Sequence, residues 1–201
     1  EEIAIEVFLP LGLLGCDVEQ WPIDDGIPVP IGVKYSVVTR MLERAYQIKY
    51  RKPLQRKWRR FQQELQYRIS NSSVFWVCQQ KDCEQRNMYD QLIREETMCL
   101  SLTFTSGDAC TNYETLLRPL LGTGTPVALC LRSQITVYQD IEEEFRQLLS
   151  SYLPESVRQK RREAFRMNGQ FHVGNHLTLL WDNPDRFPPD VDSRLQLQRK
   201  D

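Results

Sequence analysis

Six short apolar runs decide what this chain can fold into: IAIEVFL (3–9), YSVVT (35–39), VFWVC (74–78), MCLSLTF (98–104), PVALCL (126–131) and LTLLW (177–181). All are of strand length, and several are apolar at nearly every position instead of at alternate ones. A strand with one wet face alternates, whereas a strand covered on both faces has no reason to. Helical patterns lie between most of the runs. The expected fold is therefore α/β, a mostly parallel or mixed sheet of five to six strands flanked by helices.

The clearest helical pattern is PLQRKWRRFQQELQYRI, 53–69, where Leu54, Trp58, Phe61, Leu65 and Ile69 recur on one face. Pro53 suits the first turn of such a helix, where its missing N–H costs nothing. A helix over about 83–95 is expected to start after Asp82, with Gln85 placed for a capping box and Met88, Leu92 and Tyr89 facing inward. NYETLLRPLLG (112–122) predicts a short helix kinked at Pro119 and stopped at Gly122. A helix from near Gln139 aligns Ile141, Phe145, Leu148, Leu149 and Tyr152; Pro154 breaks it and ESVRQKRREAF continues as a second piece. Between Pro10 and Gly32 the prolines and glycines argue against a long helix. A helical turn over Leu11–Leu14 and a long loop are expected there, leaving the first two strands antiparallel or differently connected.

At 201 residues, 1–190 fits one α/β domain with a polar tail at 191–201, and such a domain needs neither disulfides nor a metal. The formal net charge of −1 gives no general support for binding nucleic acid or membranes. No run reaches the ~18 apolar residues of a membrane span. The start EEIAIEVFLP has no signal-peptide pattern and no initiator methionine, so a domain of a longer chain is expected. The cysteines Cys16, Cys78, Cys83, Cys99, Cys110 and Cys130 form no CxxC pair. Three of them sit in apolar runs, as small hydrophobes do. Reduced thiols and a cytoplasmic location are expected.

The chemistry-bearing patterns are incomplete. Arg44–Arg60 holds eight Arg or Lys residues and no acid, interleaved with Tyr46, Tyr50 and Trp58. Such a stripe can track phosphates and stack bases. Trp58 lies on the apolar stripe of the same helix, however, and periodicity favours a solvated face with Trp58 in the core. A second basic cluster spans Arg158–Arg166. His172 and His176 are four apart but enclose Gly174 and Asn175 and have no third ligand, so no metal site is assigned. Neither HExxH nor GxSxG is present. In LLGTGTPVALC the glycines precede a strand, the reverse of a nucleotide cradle. Ser106, Gly107 and Asp108 follow a strand and form a weak ligand-site candidate without the P-loop lysine. Cys110 beside Asp108, or a cysteine with either histidine, would make a thiol nucleophile only if the groups meet in space. No motif calls for a cofactor.

In order, IEVFLPLGLLGCDVEQW, GVKYSVVTRMLER, KWRRF, LLRPLLGTGTPVALCLR and LTLLWDNPDRFPPD resemble the C-terminal domain of bacterial vWA–MoxR-associated proteins, VMAP-C. The resemblance runs from about Ile3 to Pro189, with Cys130 standing where a bulkier residue is usual. It implies a cytoplasmic regulatory or sensory module at the end of a multidomain protein that carries an effector such as a protease. It also implies a von Willebrand A domain protein and a MoxR-type AAA+ ATPase as partners, in NTP-dependent conflict such as anti-phage defence. No catalytic residue transfers with it. The candidate interaction residues are Arg40, Arg44, Trp58, Arg118, Trp181, Asp182 and Arg186, with a local Asp182–Arg186 ion pair expected. Two other readings stand beside this one: nucleic-acid or nucleotide sensing through the basic helix 44–60, and a small hydrolase built on Cys110 and Asp108.

Overall fold

A computed structural model of the chain describes residues 3–24, 26–65, 69–103, 113–132, 140–167, 169 and 172–187. Its centre is a six-stranded sheet in the order β1-β4-β8-β7-β6-β5, made of β1 (Ala4–Leu9), β4 (Ser36–Met41), β5 (Val74–Val77), β6 (Cys99–Leu102), β7 (Val127–Leu131) and β8 (Leu177–Trp181). The apolar runs thus become strands at nearly the positions expected. A hairpin of β2 (Pro22–Asp24) and β3 (Pro28–Pro30) lies apart, turned at Gly26 with φ of 84°. It falls within the stretch expected to be a loop.

The sheet has two parallel halves. β1, β4 and β8 run one way and β5, β6 and β7 the other, and they meet at the antiparallel pair β7–β8. Of the two alternatives for the first two strands, antiparallel or differently connected, the second holds: β1 and β4 pair in parallel, Ala4 opposite Ser36 through Leu9 opposite Met41, and among the described residues no long helix joins them. The hairpin and the short helix α1 (Ile31–Lys34) give the chain enough length to cross over before β4. β8, last in the chain, fills the middle of the sheet and is buried along its whole length.

Helices cover both faces. On one, α3 (Ile48–Leu65), α6 (Ile141–Leu149) and α7 (Leu153–Arg166) place Trp58, Phe61, Phe145, Leu149 and Val157 over Val38, Val127, Leu129, Leu179 and Trp181. On the other, α4 (Gln85–Leu92) and α5 (Tyr113–Thr123) place Met88, Leu92, Leu117 and Leu120 over Met41, Leu100, Ala128 and Leu180, beside a 3-10 turn at Leu11–Leu13. Burying such side chains stabilises the fold by roughly 1.5–3 kcal/mol each. Tyr89, expected to face inward, is 43% exposed.

Several helix ends depart from expectation. α2 (Leu42–Tyr46) is followed almost at once by α3, so Pro53 stands in the second turn of α3 and not in its first. α5 ends on Gly124, φ 74°, whose N–H donates to Leu120 O, and not on Gly122. A Cβ on Gly124 would lie 2.6 Å from Leu54 N and from Pro53 O, so this glycine also lets the end of α5 dock on the α3 backbone. α4 has no side-chain cap, and the capping box closes instead between Gln79 and Asp82, on the 3-10 turn Gln80–Cys83 before it. Pro154 starts α7 in its first turn.

Candidate functional site

β1, β4 and β8 are parallel, so their carboxyl ends meet at one edge of the sheet, a common place for sites in α/β folds. Five candidate residues converge there: Arg40, Arg44, Trp181, Asp182 and Arg186. Trp58 of α3 joins them, its ring 5.8 Å from that of Trp181 at 89°. Arg118 does not; it lies on the other face, on α5.

The convergence is a knot of buried charge. Arg44 Nη1 donates to Asp182 Oδ2 at 2.8 Å, and its Nη2 donates to Thr125 O at 3.0 Å and to Leu120 O. Asp182 Oδ1 accepts from Met41 N at 3.2 Å and lies 3.5 Å from Arg40 Nε. Arg40 donates to Glu6 Oε2 at 2.6 Å and to the carbonyls of Asn183 and Arg186. Its guanidinium lies 4.6 Å from the Phe8 ring centroid and 5.4 Å from that of Phe187. Arg51 packs 4.2 Å from the Phe187 centroid and donates to Ala45 O at 2.5 Å.

Two buried arginines thus face two carboxylates, Asp182 and Glu6. Burial lowers the pKa of the Arg44 guanidinium, and the Asp182 carboxylate opposes that shift. The arrangement holds the loop after β8 onto β1 and β4 and closes the core edge. Its arginines already donate to fixed acceptors, so it provides rigidity and presents neither a nucleophile nor a free base. The local Asp182–Arg186 pair is corrected: Arg186 Nη1 binds Glu6 Oε1 at 2.9 Å, because the turn at Asn183 points the two side chains to different partners. Arg40, Arg44, Trp58 and Asp182 are each at most 1% exposed. The accessible part is a cleft of about 240 Å³ beside the knot, lined by Glu6, Ser36, Tyr152, Trp181 and Arg186 among others.

The basic helix divides in the same way. Arg44 and Lys57 are buried, and Arg51 donates to backbone. Lys57 Nζ donates to Leu92 O, Arg94 O and Thr97 O at 2.5–2.9 Å, tying α3 to the turn between α4 and β6. Lys49, Lys52, Arg56 and Arg59 remain exposed at helical spacing, with Arg56 paired to Glu95. Lys57 was legible in retrospect: Leu54, Lys57, Trp58 and Phe61 are spaced as one buried stripe. Glu6, Phe8 and Phe187 carried no local signal, since each acts through a partner distant in sequence.

Ser106, Gly107, Asp108 and Cys110 lie outside the described residues. Burial pushes the Cys130 thiol up to about 12 and the Cys99 thiol up as well, which suppresses thiolate chemistry at both. His172 Nδ1 accepts from Gly174 N at 3.1 Å, and burial lowers the pKa of this imidazole. Among the described residues no group of three or more His, Cys, Asp or Glu side chains is placed to hold a metal. Among them, too, no helix is long and apolar enough to cross a membrane.

One family model, VMAP-C, the vWA-MoxR associated protein C-terminal domain, matches residues 1–184. No curated protein and no solved structure matches the chain.

Proposed function

The chain belongs to the vWA-MoxR associated protein C-terminal domain family, and from that premise we propose that it is a non-catalytic regulatory or sensory module. The family's name associates it with a vWA–MoxR system. In this reading the module recognises a partner or signal and couples it to an effector domain, such as a protease, elsewhere in a longer chain. The setting is cytoplasmic, in bacterial conflict with invaders such as phage. A von Willebrand A domain protein and a MoxR-type ATPase are its partners.

The observation that carries the proposal is the connection between surface and core at the β8 exit. Exposed Arg186 binds Glu6, Glu6 binds buried Arg40, and Arg40 lies beside the carboxylate that holds Arg44. A partner that draws Arg186 away from Glu6 changes the charge balance around Arg40, and the strands β1 and β4 with it. The test is capture of the vWA and MoxR partners by the full-length protein, with and without this region, alongside effector output. Loss of both without it is expected; unchanged capture and unchanged output would sink the proposal.

A second reading, nucleic-acid contact along α3, is favoured by one observation: Lys49, Lys52, Arg56 and Arg59 share an exposed face. It predicts retention of single-stranded RNA or DNA that weakens steeply with salt. No retention at low salt would remove it.

A further inference from the structure

A second opening lies away from the buried knot, on the opposite face of the sheet. It is a groove of about 570 Å³ between α4 and α5, closed at one side by the start of α3. That volume falls in the ~300–1,000 Å³ range of small-molecule sites. Tyr50, Gln85, Arg86, Tyr89, Asp90 and Arg118 line it.

α4 connects β5 to β6 and α5 leads into β7, and the three strands are parallel, so the two helices run the same way. The Tyr89 ring of α4 meets α5 at Gly122: a Cβ on Gly122 would be 3.6 Å from Tyr89 Cε2. Arg86 is three residues before Tyr89 and Arg118 four before Gly122. Arg86 and Arg118 thus each stand about one helical turn before that contact along their own helices. Tyr50, Tyr89 and Asp90 line the same groove, with Asp90 one turn beyond Arg86 on α4.

Two guanidinium groups, two phenol rings and a carboxylate in one groove complement a planar base joined to a phosphate. We propose that this groove binds a single nucleotide, its phosphate between Arg86 and Arg118 and its base on the tyrosines, with a base amino group donating to Asp90. Arg86 lies in the first turn of α4, where the helix dipole adds to the attraction for an anion. Among the described residues Arg86 makes no ion pair, and Arg118, itself exposed, pairs with half-buried Glu114, four residues away. Exposed pairs of that kind are weak, so a phosphate displaces Glu114 at little cost. An acidic peptide would also meet the arginines, but it gives no role to the carboxylate of Asp90. The inference rests on the sensory reading above and supplies its signal.

The test is calorimetric titration of the 201-residue chain with ATP, GTP, CTP, UTP, inorganic phosphate and a ten-nucleotide single strand. One-site binding of the mononucleotides is expected, weakest for UTP, whose base lacks the amino group. Arg86→Glu and Arg118→Glu should each weaken binding by about tenfold or more, the scale of a charge-assisted hydrogen bond. Tyr89→Ala should weaken it at least ~5-fold, the lower range of base–aromatic stacking. The exposed positions of these residues leave the thermal melt unchanged, which separates lost binding from lost folding. Absence of saturable mononucleotide binding at millimolar concentration, saturation by the oligonucleotide alone, or wild-type affinity in both glutamate variants would overturn the proposal. Partner capture by the full-length protein is read separately, so failure here removes the nucleotide and leaves the regulatory reading intact.

Discussion

The knot at the end of β8 and the groove between α4 and α5 use the same side-chain types to opposite effect. Each combines arginines, a carboxylate and aromatic rings. In the knot, Arg40 and Arg44 are fully buried and donate to Asp182, Glu6 and backbone carbonyls. In the groove, Arg86 and Arg118 are exposed and face open space. An arginine's role here follows from its burial and not from its neighbours in sequence. A buried guanidinium must have its acceptors built in, because an unpaired buried charge costs several kcal/mol. An exposed one has water as its partner and remains available to a ligand.

The largest effect expected from breaking this contrast is at Asp182. Asp182→Ala leaves Arg40 and Arg44 without the carboxylate that lies between them, at a cost of about 3–5 kcal/mol. Urea unfolding should show a large fall in midpoint or loss of the cooperative transition. A midpoint within error of wild type would mean that the knot does not hold the β8 exit.

Lys57→Met comes next, because it removes the donor to Leu92 O, Arg94 O and Thr97 O. A cost of roughly 2–3 kcal/mol is expected from leaving such buried acceptors unpaired. Burial pushes the Lys57 ammonium from its ordinary 10.5 down to about 8, partly opposed by Glu95. Between about pH 8 and 10.5 the unfolded chain therefore binds a proton that the folded chain has released. Wild-type stability relative to Lys57→Met should rise across that window and be flat below it. Chemical denaturation of both proteins from pH 7 to 10.5 measures this, and a difference that falls with pH contradicts the assignment.

Arg186→Ala tests the rim. Its Glu6 partner keeps Arg40, and the Arg186 side chain is 65% exposed, so a loss of no more than ~1 kcal/mol is expected. The same substitution should weaken partner capture if the rim is the contact surface, and equal capture would place that surface elsewhere. Arg118→Ala should change stability least, by a few tenths of a kcal/mol, the scale of an exposed i,i+4 pair.

Much of the fold was legible because its strands are continuous apolar runs and Trp58 and Phe61 repeat at helical spacing. The position of β8 was not. LTLLW reads as a buried strand, but nothing local says that it inserts between β4 and β7 and joins two parallel halves. The hairpin at 22–30 was hidden by its prolines, which argue against helix equally well for loop and for edge strand. At the site, the sequence singled out Asp182 and Arg186 but paired them with each other. Their actual partners, Arg44 and Glu6, are distant in sequence, and long-range ion pairing leaves no spacing to read. The groove was unreadable for the same reason, since Arg86 and Arg118 become neighbours only through the parallel packing of α4 and α5.

The most direct test of the division between structural and available arginines is a paired urea titration of Asp182→Ala and the Arg86→Ala/Arg118→Ala double variant. The first should lose about 3 kcal/mol or more. The second should stay within about 0.5 kcal/mol of wild type, as surface changes do. Equal losses in the two proteins, or a larger loss in the double variant, would contradict it.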